Sequence, residues 1–354
     1  IYSTLGGIQA GQSLRASATN TTAFGYQALA TATSSVGNSA FGASALVSNR
    51  GGYSNTAVGN LTLADNTSGY LNTAIGAATL VNNITGHHNV GVGGNLYANT
   101  TGSSNSALGS NALGVNVTGS GNSAFGMNAL SNNNASYAVA VGSQALFGNT
   151  SATNTVAVGY QAGVGSYSTY ANEGGTFVGA SSGYSVQTGS NYNTLIGYQS
   201  GFNVSTGQYN TMLGYFGSTG GITTGSNNVL IGKDVHSGLT VGGDNQLNIG
   251  NLIFGTGLGS GTTLATGNVG IGTSTPNANL QVFGAAGDST LAVTSLNGSE
   301  SILNLGYKQY PDAGQIKYNS INDYLAFTTQ SAEHMRLTNT GNLGIGTSSP
   351  AAKL

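Results

Sequence analysis

The sequence predicts an all-β solenoid. Three observations lead to that prediction: a short repeat, β-type stretches within it, and the lack of a helical pattern. A unit reading approximately Asn-Ser/Thr-Ala-Φ-Gly, where Φ is a large apolar residue, recurs at spacings of 16 to 20 residues, most often 17. Self-similarity at a fixed period is the signature of repeat architectures, so each copy is predicted to form one coil. The unit is anchored by fourteen glycines: Gly25, Gly42, Gly59, Gly76, Gly93, Gly109, Gly126, Gly142, Gly159, Gly179, Gly197, Gly214, Gly232 and Gly250.

The period sets the expected dimensions of the coil. Seventeen residues of extended chain have a contour of about 55 Å, which favours a flattened roll with two short strands per coil. Stacked at the spacing of neighbouring strands, about 14 coils would form a rod on the order of 65 Å long. Each coil would pair its backbone only with the coils before and after it.

Most predicted strands are apolar on both faces. The residue before every anchoring glycine is apolar, from Phe24 to Ile249, and we place this Φ row inside the coil. The residue before Φ points the other way, because successive side chains in a strand alternate. It is Ala in most early copies and becomes large in later ones, at Phe177, Leu195, Met212 and Leu230. A thin roll can bury only one face, so we predict that another copy of the chain covers the second. The larger later residues would then fill a wider gap between copies.

Two further positions vary along the repeat. Four residues after the anchor, Leu recurs in the early copies and gives way to Gly163, Gly183 and Gly201. This change defines a second coil subtype over about residues 160–250, beginning near 160–180. Asn lies four residues before the anchor in nine copies, where it favours left-handed turns and can form an amide ladder when stacked. We interpret these nine as architectural: Asn38, Asn55, Asn72, Asn89, Asn105, Asn122, Asn193, Asn210 and Asn228.

Composition excludes several classes of protein. Only 5% of the 354 residues are charged, and seven Lys and Arg residues are too few to neutralise a nucleic-acid backbone. There is no cysteine for a disulfide framework or a thiolate site. Hydrophobic residues make up 38% of the chain, which argues against disorder, yet no apolar run reaches the ~20 residues of a membrane span.

The charges are concentrated toward the C-terminus. Residues 1–232 contain only four charged side chains, namely Arg15, Arg50, Asp65 and Glu173. This shift and the repeat together suggest an N-terminal segment over 1–15, a repeat shaft over 16–255 and a fibre-like β domain over 256–354.

Catalytic, cofactor and metal sites are not expected. Acid–base hydrolysis uses two neighbouring carboxylates, and residues 1–232 contain one Asp and one Glu far apart in sequence. Gly270-Ile271-Gly272 lacks the third glycine and the helix of a dinucleotide-binding motif. His87-His88 could bind a metal if several chains brought the pair together, but adjacent strand residues point apart, and a solvated turn is favoured.

Two surface features have more than one reading. Asn-x-Ser/Thr sequences occur often in so Asn- and Thr-rich a repeat, at Asn60, Asn66, Asn83, Asn99 and Asn116, so they are weak indicators of glycosylation. Tyr directly follows the anchor at Tyr160, Tyr198 and Tyr215. Exposed rings in a row could stack on sugars, or they could pack between coils or subunits.

The C-terminal part contains a second repeated motif. Residues Gly267–Pro276 read GNVGIGTSTP, and residues Gly341–Pro350 read GNLGIGTSSP. The first copy continues into an apolar stretch at Leu280–Val282. Five short strands are predicted between the copies, at Leu291–Leu296, Ile302–Tyr307, Gln315–Tyr318, Tyr324–Thr328 and His334–Thr338.

At these residues the chain resembles two groups of fibrous proteins. Over about residues 16–250 the Ala-Φ-Gly repeats resemble the heads of trimeric autotransporter adhesins, although the repeat of those heads is usually somewhat shorter. That resemblance implies a left-handed parallel β-roll and a homotrimer. The GIGTS motif is similar to bacteriophage tail-fibre and related bacterial fibre proteins, just ahead of a C-terminal chaperone that trimerises the fibre and cleaves itself off. The chaperone's catalytic residues are not in this sequence, and either self-cleavage or an arbitrary limit would explain an end within a unit at Leu354.

Together these observations predict a non-enzymatic structural fibre or adhesin. We expect a homotrimeric rod that is extracellular, on a cell surface or on a virion, and that attaches to a host or surface through a glycan or protein receptor. Whether trimers polymerise end to end is left open. Two alternatives belong to other classes: a polysaccharide-degrading enzyme of the tailspike type, which the shortage of carboxylates disfavours, and a monomeric ice- or sugar-binding solenoid, which needs a more regular Thr array.

Overall fold

The computed structural model describes residues 3–15, 17–216, 222–235, 240–259, 266–284, 291–295, 299–307 and 310–353. Within these ranges the chain is all-β, with strands and turns and no helix. It divides into two compact units, Ile1–Phe283 and Gly284–Leu354.

The first unit is a parallel β-solenoid, as the repeat predicts, with a three-residue strand in each coil. Its first fifteen strands stack in parallel and in register, so that Ala40 pairs with Ala57 and Ala57 with Ala74. These strands are β1 (Thr4–Gly6), β2 (Thr22–Phe24), β3 (Ser39–Phe41), β4 (Thr56–Val58), β5 (Thr73–Ile75), β6 (Val90–Val92), β7 (Ser106–Leu108), β8 (Ser123–Phe125), β9 (Val139–Val141), β10 (Val156–Val158), β11 (Thr176–Val178), β12 (Thr194–Ile196), β13 (Thr211–Leu213), β14 (Val229–Ile231) and β15 (Leu247–Ile249).

Three more strands close this unit. They are β16 (Ile253–Gly255), β17 (Val269–Ile271) and β18 (Leu280–Val282). Strand β16 is antiparallel to both β15 and β17, whereas β17 and β18 are parallel to each other. The reversal at β16 therefore ends the regular stack of coils.

The far side of each coil is a turn region, and the prediction of two strands per coil is wrong. Leu29 and Leu46 have φ of +54° and +52°, in the left-handed region that strands do not use. Their N–H groups still bond to the next coil, with Leu29 N donating to Ala45 O at 3.0 Å and Leu46 N to Thr62 O at 3.0 Å. The second side thus keeps hydrogen bonds between coils without forming a strand.

The inward and outward faces are the reverse of those predicted. The Ala row is fully buried inside the coil, as at Ala57 and Ala74, and the Φ row faces out, with Val58 and Ile75 exposed by 37% and 41%. The interior is narrow because Leu side chains from the turn side enter it. Leu63 and Leu80 are fully buried there and leave room only for a methyl group on the strand side.

The second coil subtype fills this same core with a different pair of residues, a large one on the strand and Gly on the turn side. Phe177 is fully buried, and a Cβ added to Gly163 or Gly183 would lie 2.7 or 2.8 Å from its ring. Leu195 stands in the same relation to Gly201, at 2.6 Å. The large residues therefore fill the interior space that Leu fills in earlier coils. The prediction that they fill a gap between copies of the chain is therefore wrong.

Two columns of buried Asn run along the interior. Asn55 and Asn66 are both fully buried and both donate to Gly69 O, at 2.8 and 3.0 Å. Along the first column, Asn72 N donates to Asn55 Oδ1 at 3.0 Å, and along the second, Asn83 Nδ2 donates to Asn66 Oδ1 at 2.8 Å. The predicted Asn ladder is present, accompanied by a second column that the sequence had not indicated.

The second unit is a five-stranded antiparallel sheet. Its strands are β19 (Glu300–Tyr307), β20 (Tyr310–Asn319), β21 (Tyr324–Thr329), β22 (Ala332–Thr338) and β23 (Leu343–Ile345), paired in that order. Four of the five predicted strands fall within β19 to β22. The fifth is not confirmed, because residues 291–295 form no strand; Leu296 lies outside the described residues.

Candidate interaction surface

The outward Φ row forms a continuous apolar stripe along the solenoid. We call it the Φ stripe, and its members from Phe24 to Leu213 are mostly between 37% and 49% exposed. The strand register places each of them over the next, and Phe24 and Phe41 stack with ring centroids 5.7 Å apart. The exposed members are Phe24, Phe41, Val58, Ile75, Leu108, Phe125, Val141, Val158, Ile196 and Leu213, and Val92 and Val178 are half-buried.

The rest of this outward face is neutral. In β2 to β14 the first residue of the strand lies on the same side as Φ and is Thr, Ser or Val, as at Thr56, Ser106 and Val139. No charged residue occurs in any of the strands from β2 to β14. Extended exposed apolar surface of this kind is typical of interaction sites. Interactions along this face would therefore depend on apolar contact.

Aromatic side chains form separate ladders, mostly by stacking on one another. Tyr53 and Tyr70 have centroids 4.7 Å apart, and Tyr198 and Tyr215 have centroids 5.7 Å apart with rings only 5° from parallel. Within each stacked pair, the neighbouring ring covers the facing side of the other ring. For Tyr198 and Tyr215 the structure therefore supports packing between coils. Tyr160 is 54% exposed.

His87 and His88 lie side by side in the turn before β6, where the sequence favoured a solvated turn, and because they are not in a strand their rings do not point apart. His88 has φ of +56°, and this left-handed conformation turns its ring toward His87, with the two Nδ1 atoms 2.9 Å apart. The ring of His87 also stacks on Tyr70 at 4.7 Å. No group of three or more possible metal-ligating side chains is found among the residues that the structure describes.

The GIGTS motif forms a tight loop at each of its two positions. Asn268 Nδ2 donates to Pro276 O at 2.9 Å, and Asn342 Nδ2 donates to Pro350 O at 3.1 Å. A Cβ at Gly270 would lie 2.2 Å from Thr273 O. Gly270 thus packs closely against its own loop.

The structure also places the carboxylates and the Asn-x-Ser/Thr sequences. Glu300 and Glu333 pair with Lys317 and Arg336, with N···O distances of 3.4 and 2.7 Å, and the hydrogen bonds that Arg336 donates to Glu333 raise the pKa of Arg336. The Asn of four Asn-x-Ser/Thr sequences is fully buried, at Asn66, Asn83, Asn99 and Asn116, whereas Asn60 is exposed. Those four amides are inaccessible to glycosylation in the folded chain.

The fold defines the chain as a parallel β-solenoid repeat protein with a small antiparallel sheet. Comparisons with protein families, with curated proteins and with solved structures find no match. Across the described residues no helix has the length and apolar character that crossing a membrane requires.

Proposed function

We propose that the protein is a structural fibre that assembles as a homotrimer and acts in attachment to a host or surface, outside the cell, on a cell surface or on a virion. The observation that carries the proposal is the Φ stripe, because each coil already buries its Ala face and leaves the Φ face uncovered. The resemblance to adhesin heads and tail fibres supports the number three and the role in attachment.

The repeating nature of the stripe favours another copy of the chain as its partner. The apolar row advances by one residue per coil over more than ten coils, so its partner needs the same spacing over the same length. A second and a third copy meet that condition, and closed symmetric assemblies are the usual form of homo-oligomers. Apolar burial along the whole row would then drive assembly.

The mass of the protein in solution tests the assembly. We expect light scattering to give three times the chain mass of 35.1 kDa. Leu108→Asp would place a charge in the Φ stripe and should reduce the assembly to single chains, because an unpaired charge is costly to bury. Val115→Asp is a matched control, since Val115 is 50% exposed against 49% for Leu108 but lies outside the stripe.

A wild-type protein of single-chain mass would overturn the proposal. So would equal masses for the two variants, because the stripe would then have no part in assembly. Electron micrographs of the same wild-type sample should show rods, and binding of the rods to host cells would test the role in attachment.

A further inference from the structure

Two charged residues come together on the shaft, where charge is otherwise scarce. Arg50 and Asp65 are the only charged residues between positions 16 and 172. Both line one shallow recess of about 340 Å³, together with Thr31, Ser48, Thr67 and Ile84. We call it the Arg50 recess. Its volume lies at the lower end of the range of small-molecule sites, which begins at about 300 Å³.

The repeat explains why residues 15 positions apart meet. Arg50 lies eight residues after Gly42, and Asp65 lies six after Gly59, so the two occupy neighbouring coils on the turn side. These positions are seven to nine residues from the Φ residue of the same coil, about half of the repeat length. The Arg50 recess therefore faces away from the Φ stripe and would remain open in the proposed trimer.

The charged groups of the recess have no internal partners. In the part of the chain that the structure describes, the side chains of Arg50, Asp65 and Ser48 take part in no hydrogen bond or ion pair. Thr31 Oγ1 donates to Val47 O at 2.6 Å and Thr67 Oγ1 to Ile84 O at 3.1 Å, so these oxygens keep free lone pairs. The recess thus presents donors from Arg50 and Ser48, and acceptors from Asp65 and the two Thr hydroxyls.

From this arrangement we infer that the Arg50 recess binds a neutral saccharide. Neighbouring sugar hydroxyls both donate and accept, which matches a carboxylate beside a guanidinium with hydroxyls around them. Ile84, 42% exposed, supplies an apolar contact for the C–H face of a sugar ring. The opposite charges of Arg50 and Asp65 balance, so the recess favours an uncharged ligand over an acidic one. The inference rests on the proposed attachment function, for which it names the receptor class.

Binding of the intact protein to defined glycans tests the inference. The probes are immobilised neutral oligosaccharides of glucose, galactose, mannose and N-acetylglucosamine, beside sialylated and sulfated ones. Three recesses per trimer would strengthen binding to such a surface by multivalency. We expect the wild type to bind at least one neutral glycan, and Arg50→Gln and Asp65→Asn each to weaken that binding by about tenfold or more. Glu173→Gln, which removes a shaft charge outside the recess, should bind as the wild type does.

The outcomes separate this inference from the proposed function. If the wild type has the trimer mass but binds no neutral glycan, or binds only acidic ones, the saccharide site is refuted and the fibre remains. Binding that both recess variants retain would also refute the site. Each variant's mass and circular dichroism should equal those of the wild type, and a wild type of single-chain mass would instead refute the proposed assembly.

Discussion

The anchoring glycines hold a backbone conformation that other residues rarely adopt. Gly126 has φ of +135°, and an added Cβ would lie 2.6 Å from the carbonyl carbon of Gly142 in the next coil. The obstacle is backbone, which cannot turn aside as a side chain can. Close stacking of the coils at this corner therefore requires glycine.

Gly126→Ala should destabilise the solenoid by about 2 kcal/mol or more, since both the positive φ and the contact with Gly142 oppose a side chain. Urea unfolding followed by circular dichroism measures the change. Gly51→Ala is the control, because a Cβ there would meet no atom within 4 Å. Equal losses in the two variants would contradict this account of the anchor.

The buried Asn columns satisfy backbone groups that water cannot reach. Asn83 donates to Asn66 Oδ1 at 2.8 Å and to Gly86 O at 3.0 Å, and accepts from Asn99 Nδ2 at 2.7 Å. Its removal would leave buried polar partners short of hydrogen bonds, and such groups are costly.

Asn83→Ala is expected to lower the free energy of unfolding by about 2 kcal/mol or more. Asn82→Ala changes the neighbouring exposed residue in the same turn and should cost far less. Thermal unfolding of the two variants compares them. Similar melting temperatures would show that the buried ladder does not stabilise the coil.

At the scale of the element, the interior of a coil has a fixed volume. The middle residue of the strand and the residue four after the anchoring glycine fill it together. Early coils combine Ala on the strand with Leu on the turn side, as at Ala57 and Leu63, both fully buried. The coil of β11 combines Phe177 with Gly183 instead. Leu occupies this turn position with φ near +50° in the early coils, as at Leu113, so its backbone conformation is compatible with a side chain.

A double-mutant cycle tests the exchange of volume. Phe177→Ala should cost about 3–5 kcal/mol by leaving a cavity, and Gly183→Leu about 1–3 kcal/mol by overfilling the core. The double variant recreates the early-coil pair and should be more stable than the sum of the single losses predicts. Denaturant unfolding of all four proteins measures the coupling, and strict additivity would contradict the shared volume.

At the scale of the whole molecule, the 14 tyrosines of residues 1–283 outnumber the seven charged residues there, so alkaline pH is an informative condition for testing stability. Burial raises the pKa of Tyr170 far above its ordinary value near 10. The hydroxyl of Tyr170 also donates to Gly163 O. Because the folded chain resists ionisation of this phenol, its contribution is complete below about pH 10 and is lost as the pH rises further.

The unfolding midpoint in urea should therefore fall between about pH 8 and about pH 11. Tyr170→Phe should reduce this fall, since the variant has no buried phenol at that position to ionise on unfolding. Its stability at about pH 8 gives the separate effect of losing the hydrogen bond to Gly163. An undiminished fall in the variant would assign the alkaline sensitivity to other tyrosines.

Local regularities account for how much could be predicted. The repeated Gly and Φ positions predicted the solenoid, its number of coils and its period, and four of the five short strands predicted between the GIGTS copies lie within β19 to β22. The turn side was not predicted, because a left-handed Leu such as Leu29 is indistinguishable in sequence from a Leu in a strand. The sequence did not predict the Arg50 recess. Arg50 and Asp65 are 15 positions apart, two fewer than the usual repeat of 17, and this spacing could have indicated that they lie in neighbouring coils.

The amino-acid sequence by itself determined that most strands of the repeat have two apolar faces, since Ala or a larger apolar residue stands next to Φ. Only the tertiary structure decided which face lies inside. The alternation of side chains does not say which face is buried. That depends on how much interior space the turn side of the coil leaves. Buried Leu residues such as Leu63 occupy most of the interior, so Ala57 fits opposite them and Val58 is left outside.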